Sequence, residues 1–200
     1  VLAPRVADEM LTPYRSFLQR EIPTADAAAF RRDPQRLAAW CRDSLTLRPE
    51  LCSVSTTISP EGVWRSRTAD KPSRAIFFVA AARSLGIPAW IDRVTGNLFY
   101  RYAGRDVPVD FESANDRQME TGRLKLRDEP IPRLDDPEYF RHFTLSRFDG
   151  QSFALLNYPD FEPWSARFDT PTDLETGYYM LATGSRLADG SVLANVSFLN

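Results

Sequence analysis

The sequence predicts an α+β fold with helices first and strands afterwards, on three observations. Apolar residues recur at helical spacing from Val6 to Ser84, the period falls to two after Ala89, and from residue 138 the chain reads as strands divided by Asp-Gly turns. A length of 200 residues allows one domain, or one domain with a small appendage. The expected division is an α+β core over 1–135, with N-terminal helices and a small antiparallel sheet, followed by an all-β unit over 136–200.

Taken in order, Val6, Met10, Leu11, Tyr14 and Leu18 predict a helix over 4–21, kinked or split at Pro13, whose ring clashes with the preceding turn. Residues 25–31 read as a short Ala-rich helix. A further helix over 34–46 has Asp33 as its N-cap and Pro34 at its first position. Val54, Thr56 and Ile58 alternate as in a short strand, and Ser59-Pro60-Glu61-Gly62 reads as a turn.

Ser73–Val94, SRAIFFVAAARSLGIPAWIDRV, is the most informative stretch. A buried helix capped by Asp70 or Ser73 runs to Gly86, the expected left-handed residue, and Pro88 stops it. Strands follow around Ile91–Val94, Leu98–Tyr102 and Val107–Phe111. Residues 112–137, polar and carrying Pro130 and Pro132, read as a long connector. The later strand candidates are Phe140–Arg147, Ser152–Leu156, Gly177–Ala182 and Ser191–Phe198, with hairpin turns at Asp149-Gly150 and Asp189-Gly190.

Composition narrows the function. A net charge of −2 with both signs interspersed lacks the basic face that a nucleic-acid partner requires. The longest apolar run, Ala75–Ala82, is too short for a membrane span. One His and two Cys cannot close a zinc site, and Asp110, Glu112, Asp116 and Glu120 lack calcium-loop spacing, so neither a metal nor any other cofactor is expected. Cys41 and Cys52 read as two independent thiols, since a bridge would need their Cα atoms within about 7 Å. Val1 in place of an initiator Met is expected of a chain whose leader has been removed, with further domains in a longer parent protein.

The helix, the Gly86-Ile87-Pro88-Ala89 turn and the following strand resemble the core of the transglutaminase-like superfamily, a papain-like fold. Arg83, Gly86, Ile87, Pro88 and Ala89 match the middle of that family's pattern, and Trp90 stands where Arg is common. The resemblance covers roughly 35–112. It implies a Cys at the helix start, a His on the next strand and an Asp on the one after. Those positions fall at Lys71, at Asn97 or Leu98, and at Asp110. Only the Asp survives. A protonated amine cannot replace a thiolate, and Asn or Leu cannot take its proton.

The expected function is therefore that of a catalytically inactive transglutaminase-like domain, a binding or structural module of an extracytoplasmic protein (periplasmic or at the cell surface, with a lipoprotein anchor as one expected means of attachment). GVW and GYYMLATGSRLADGSVLANVSFLN add a likeness to large secreted or envelope proteins that join such a core to β domains. Trp64, Ser73, Phe99, Tyr100 and Asp110 are the candidate groove for an extended peptide or glycopeptide. Two rivals stand beside it. An active cysteine peptidase or transglutaminase would need Cys41, His142 and Asp110 together. A glycan-binding or adhesion module would use Trp164 and Tyr178–Tyr179 of the β unit. Ser73, Asp110 and His142 occur in triad order without the G-x-S-x-G elbow of a serine hydrolase.

Overall fold

The computed structural model describes residues 4–48, 50, 56–111, 120–129, 132, 134–187 and 189–200. The fold is α+β, mixing helices with open sheets. It divides into two compact units, Val1–Asp92 with Asn97–Gln118, and Arg93–Gly96 with Met119–Asn200.

The first unit is built around one helix. Its elements are α1 (Tyr14–Glu21), α2 (Thr24–Arg32), α3 (Gln35–Ser44), β1 (Thr46–Leu47), α4 (Pro60–Ser66), β2 (Thr68–Ala69), α5 (Lys71–Ser84), β3 (Ala89–Ile91), β4 (Leu98–Tyr102) and β5 (Arg105–Pro108). β1 and β2 pair in parallel; β3, β4 and β5 form an antiparallel sheet in that order. α1, α3, α4 and β3 all pack on α5, which is why Ile76–Ala82 can be apolar all round.

α5 is held at both ends. Asp70 caps its start, its Oδ1 accepting the Ser73 N–H at 2.7 Å. At the other end the Ile87 N–H donates to the Ala82 carbonyl and the Gly86 N–H to Arg83, the paired bonds of a Schellman motif, with Gly86 at φ +82°. The Arg83 guanidinium then donates from Nε to the Ala89 carbonyl at 2.9 Å, tying the helix end to β3.

Several expectations are corrected here. The first helix begins only at Tyr14, because Pro13 starts it rather than kinking it. Residues 4–13 are irregular, and the Glu9 carboxylate accepts the Val6 and Ala7 N–H groups at 2.6 and 2.8 Å. Ser59-Pro60-Glu61-Gly62 is no turn but the cap and first turn of α4: the Ser59 hydroxyl accepts the Gly62 N–H, and Pro60 sits where a missing N–H costs nothing. Thr56–Ile58 is not a strand, while Val54 lies outside the described residues. The third strand of the sheet is Arg105–Pro108 rather than Val107–Phe111.

The second unit holds β6 (Thr121–Leu124), β7 (Phe143–Phe148), β8 (Phe153–Leu155), α6 (Trp164–Arg167), β9 (Thr172–Glu175), β10 (Tyr179–Arg186) and β11 (Val192–Leu199). An antiparallel sheet runs β11-β10-β7-β8, and β6 pairs with β9. The connector expected over 112–137 therefore contains a strand, and the unit expected to be all β contains a short helix. Phe140 lies in a turn at φ +62°, outside β7. Both Asp-Gly turns form as expected, with Gly150 and Gly190 at positive φ. The core gathers around Tyr139, whose hydroxyl donates to the Leu156 carbonyl at 2.6 Å and accepts the Leu145 N–H at 3.0 Å.

Candidate functional site

The start of α5 and the end of the β4–β5 hairpin define the site that the sequence singled out. Lys71 is exposed in the first turn of the helix. Ser73 is fully buried, and its hydroxyl accepts the Ile58 N–H at 2.9 Å. Ser73 is thus a structural tie between α5 and the segment leading into α4.

The hairpin register brings two of the three triad positions together. Phe99 pairs with Pro108 and Tyr100 with Val107. The Val109 N–H donates to the Leu98 carbonyl at 2.8 Å, so the ladder continues outward and sets Asn97 opposite Asp110. Both are partly buried. The next residue, Phe111, meets Phe78 of α5 edge-on at 5.9 Å, and the Arg74 guanidinium lies 4.4 Å from its ring centre. These contacts pin the chain beyond β5 to α5 at Arg74 and Phe78.

The aromatic candidates separate. Tyr100 is buried and faces Phe78 at 6.3 Å. Its neighbour Phe99 points to the other side of the sheet, as alternate strand residues must, and stacks on Trp90 at 5.8 Å. Trp64 belongs to a different face of α5: it stacks on Trp40 at 5.3 Å, and Phe77 lies 6.3 Å away. Trp64, Ser73, Phe99, Tyr100 and Asp110 therefore do not line one groove.

A residue not singled out from the sequence sits with Trp64. Arg67 adopts φ +54°, and its guanidinium lies 3.8 Å from the Trp64 ring centre and 4.8 Å from that of Trp40. Burial lowers its pKa from the ordinary arginine value. Trp64 and Arg67 are three residues apart, but the second indole, Trp40, comes from α3, and that packing leaves no mark in the sequence.

Cys41 is a free thiol with no exposed surface. Burial pushes its pKa far up, and the Arg74 charge offsets only part of this. It is accordingly held as a neutral thiol, the opposite of an activated nucleophile. Cys52 lies outside the described residues, as do Glu112 and Asp116. His142, expected in a strand, lies in a turn of the second unit. Its Nδ1 accepts the Glu138 N–H at 2.9 Å, which assigns the ring proton of the neutral form to Nε2. Of the aromatics considered for glycan stacking, Tyr178 is exposed, Trp164 is half-buried and Tyr179 is buried.

Among the described residues, no three His, Cys, Asp or Glu side chains group closely enough to hold a metal ion. No described helix is long and apolar enough to cross a membrane. Comparison with family models, with curated proteins and with solved structures finds no significant match to this chain.

Proposed function

We propose that this chain is a catalytically inactive member of the transglutaminase-like superfamily, acting as a binding or structural module of an extracytoplasmic protein. The observation that carries this reading is the β4–β5 register, which sets Asn97 opposite Asp110 while Phe111 packs on the helix that begins at Lys71. A strand His, a strand Asp and a helix-start Cys would need such a strand pair next to the helix start, and the contacts of Phe111 with Phe78 and Arg74 support that reading. Here an amide and an ammonium occupy the first and last positions. The site can still offer hydrogen bonds and charge to an extended peptide or glycopeptide, but it holds neither thiolate nor base. The burial of Cys41 weighs against a relocated nucleophile.

The test is to restore the missing groups. Lys71→Cys with Asn97→His should create a helix-start thiol with a lowered pKa, alkylated at pH 6 at least tenfold faster than the thiol of Lys71→Cys alone. The unmodified chain, incubated natively with a peptide bearing a thiol-reactive electrophile, should show no turnover and no selective adduct at Cys41. Equal alkylation rates for the single and double variants would refute the shared geometry. Turnover by the unmodified chain would refute inactivity.

A further inference from the structure

We propose that the second unit binds a neutral oligosaccharide in a groove between the inner face of its four-stranded sheet and a wall built by Pro137 and Trp164. Every residue lining this groove lies in Met119–Asn200, so the inference is independent of the proposed function.

The sheet register supplies the floor. Phe143 pairs with Thr183, and Thr183 with Asn195, so these three side chains form one row across β7, β10 and β11. Leu181 and Ser185 stand two residues to either side of Thr183 on the same face. At the β7 end this face is the core of the unit, with Phe143 and Leu145 buried. Towards the β10–β11 hairpin its character changes: Thr183, Ser185 and Asn195 are exposed beside Leu193. Packing against a core would favour apolar side chains there, and hydroxyls and an amide stand in their place.

The wall is held by main-chain bonds. The backbone N–H of Trp164 donates to the Pro137 carbonyl at 2.7 Å, and Glu138 bridges to Pro163. The Glu138 N–H donates to Nδ1 of His142 at 2.9 Å, which leaves Nε2 of the neutral ring as a donor at one end of the groove. Leu126, Arg127 and Asp128 complete the lining. The cavity measures about 430 Å³, within the range of about 300–1,000 Å³ in which ligand sites fall.

The lining selects the ligand. Each hydroxyl of a sugar both donates and accepts, while the C–H faces of its ring are apolar. A saccharide therefore needs donors and acceptors interleaved around an apolar or aromatic surface. Here His142, Asn195 and Arg127 donate, the Asp128 carboxylate accepts, and Thr183 and Ser185 do both. Leu126, Pro137 and Trp164 supply the apolar surface. The indole N–H of Trp164 is buried with no hydrogen-bond partner among the described residues, the mark of a polar group that a water or a ligand oxygen completes. A lipid would leave all these polar groups desolvated and unpaired. An anion would need an excess of positive charge, whereas Arg127 is matched by Asp128 next to it.

A glycan array probed with the whole chain coupled to fluorescent beads should show binding to neutral oligosaccharides, and calorimetry with the best of them then gives a dissociation constant. Asn195→Ala and Asp128→Ala should each raise that constant at least tenfold, with an unchanged far-UV spectrum and melting curve. Tyr178→Ala should leave it within about twofold, because Tyr178 stacks on Phe198, whose side chain stands on the other face of the sheet. No neutral glycan bound above background, binding to acidic glycans alone, a constant unmoved by either of the first two substitutions, or a tenfold loss in Tyr178→Ala would each overturn the proposal.

Discussion

Ile76–Ala82 and Val192–Leu199 are both uncharged apolar runs of similar length, yet they meet opposite environments. The first, in α5, is no more than 2% exposed at any residue; the second, in β11, is exposed at all but its last residue. Asn195 and Ser197 make the second run less apolar, but the larger difference lies in what surrounds each run. α5 receives helices and a sheet on all its sides. Among the described residues β11 pairs with β10 alone. Apolar sequence predicts a demand for burial, whereas topology decides whether the same chain meets that demand.

The largest test of this contrast is a pair of truncations. Phe78→Ala removes a ring that is 0% exposed and touches Tyr100 and Phe111, and should cost about 3–5 kcal/mol in denaturant unfolding. Phe198→Ala removes a ring that is 55% exposed and stacks on Tyr178 at 5.6 Å, and should cost under about 1 kcal/mol. Equal costs would show that β11 is supported far more than its exposure indicates.

Within the second unit, Tyr139→Phe tests whether its core is held by polar contacts as much as by apolar ones. The substitution leaves the Leu145 N–H and the Leu156 carbonyl without the phenol, and should cost roughly 1–3 kcal/mol. It also changes the response to alkali. Burial pushes the hydroxyls of Tyr139 and Tyr158 up to about 12 from an ordinary value of 10. Above pH 10 the unfolded chain therefore releases protons that the folded chain still holds, so stability should fall between about pH 10 and pH 12 and be unaffected by these groups below that. Removing the Tyr139 hydroxyl should make this fall shallower, which urea titrations at stepped pH would detect.

The two regions also differ in how far the sequence revealed them. α5, its Asp70 cap, its stop at Gly86 and the two-residue period beyond it were all legible, because caps, Gly-x-Pro and strand alternation are local signals. So were the turns at Asp149-Gly150 and Asp189-Gly190. β6 and β9 were not, because each is short and is stabilised by a partner about fifty residues away, a non-local pairing that leaves no periodicity. α4 was misread because Ser-Pro-Glu-Gly serves equally as a turn or as a helix start, and only the Gly62 N–H on Ser59 decides it. At the site, the resemblance put Asn97 or Leu98 and Asp110 on neighbouring strands, and only the hairpin register sets Asn97 opposite Asp110. The separation of Phe99 and Trp64 from Tyr100 depends on which face of β4 and of α5 each meets, a tertiary fact. Arg67 on its two tryptophans was out of reach for the same reason.

Effects smaller than that of Phe78→Ala are expected at the two ends of α5, where the proposed site begins. Gly86→Ala forces a Cβ into φ +82°, and although nothing lies within 4 Å of that Cβ, the backbone strain alone should cost about 1–2 kcal/mol. Asp70→Ala removes the acceptor of the Ser73 N–H and should cost about 1 kcal/mol. The two differ in where the disturbance falls. Gly86 sets the path into β3, whereas Asp70 holds the first turn, including Lys71 and the buried Ser73 on which the Ile58 N–H depends. Amide exchange should separate them: Gly86→Ala should speed exchange at Gly86 and Ile87, and Asp70→Ala at Ile58 and Ser73. Faster exchange at Ile58 in the Gly86 variant would mean that α5 opens as one unit, and that its two ends are not independently held.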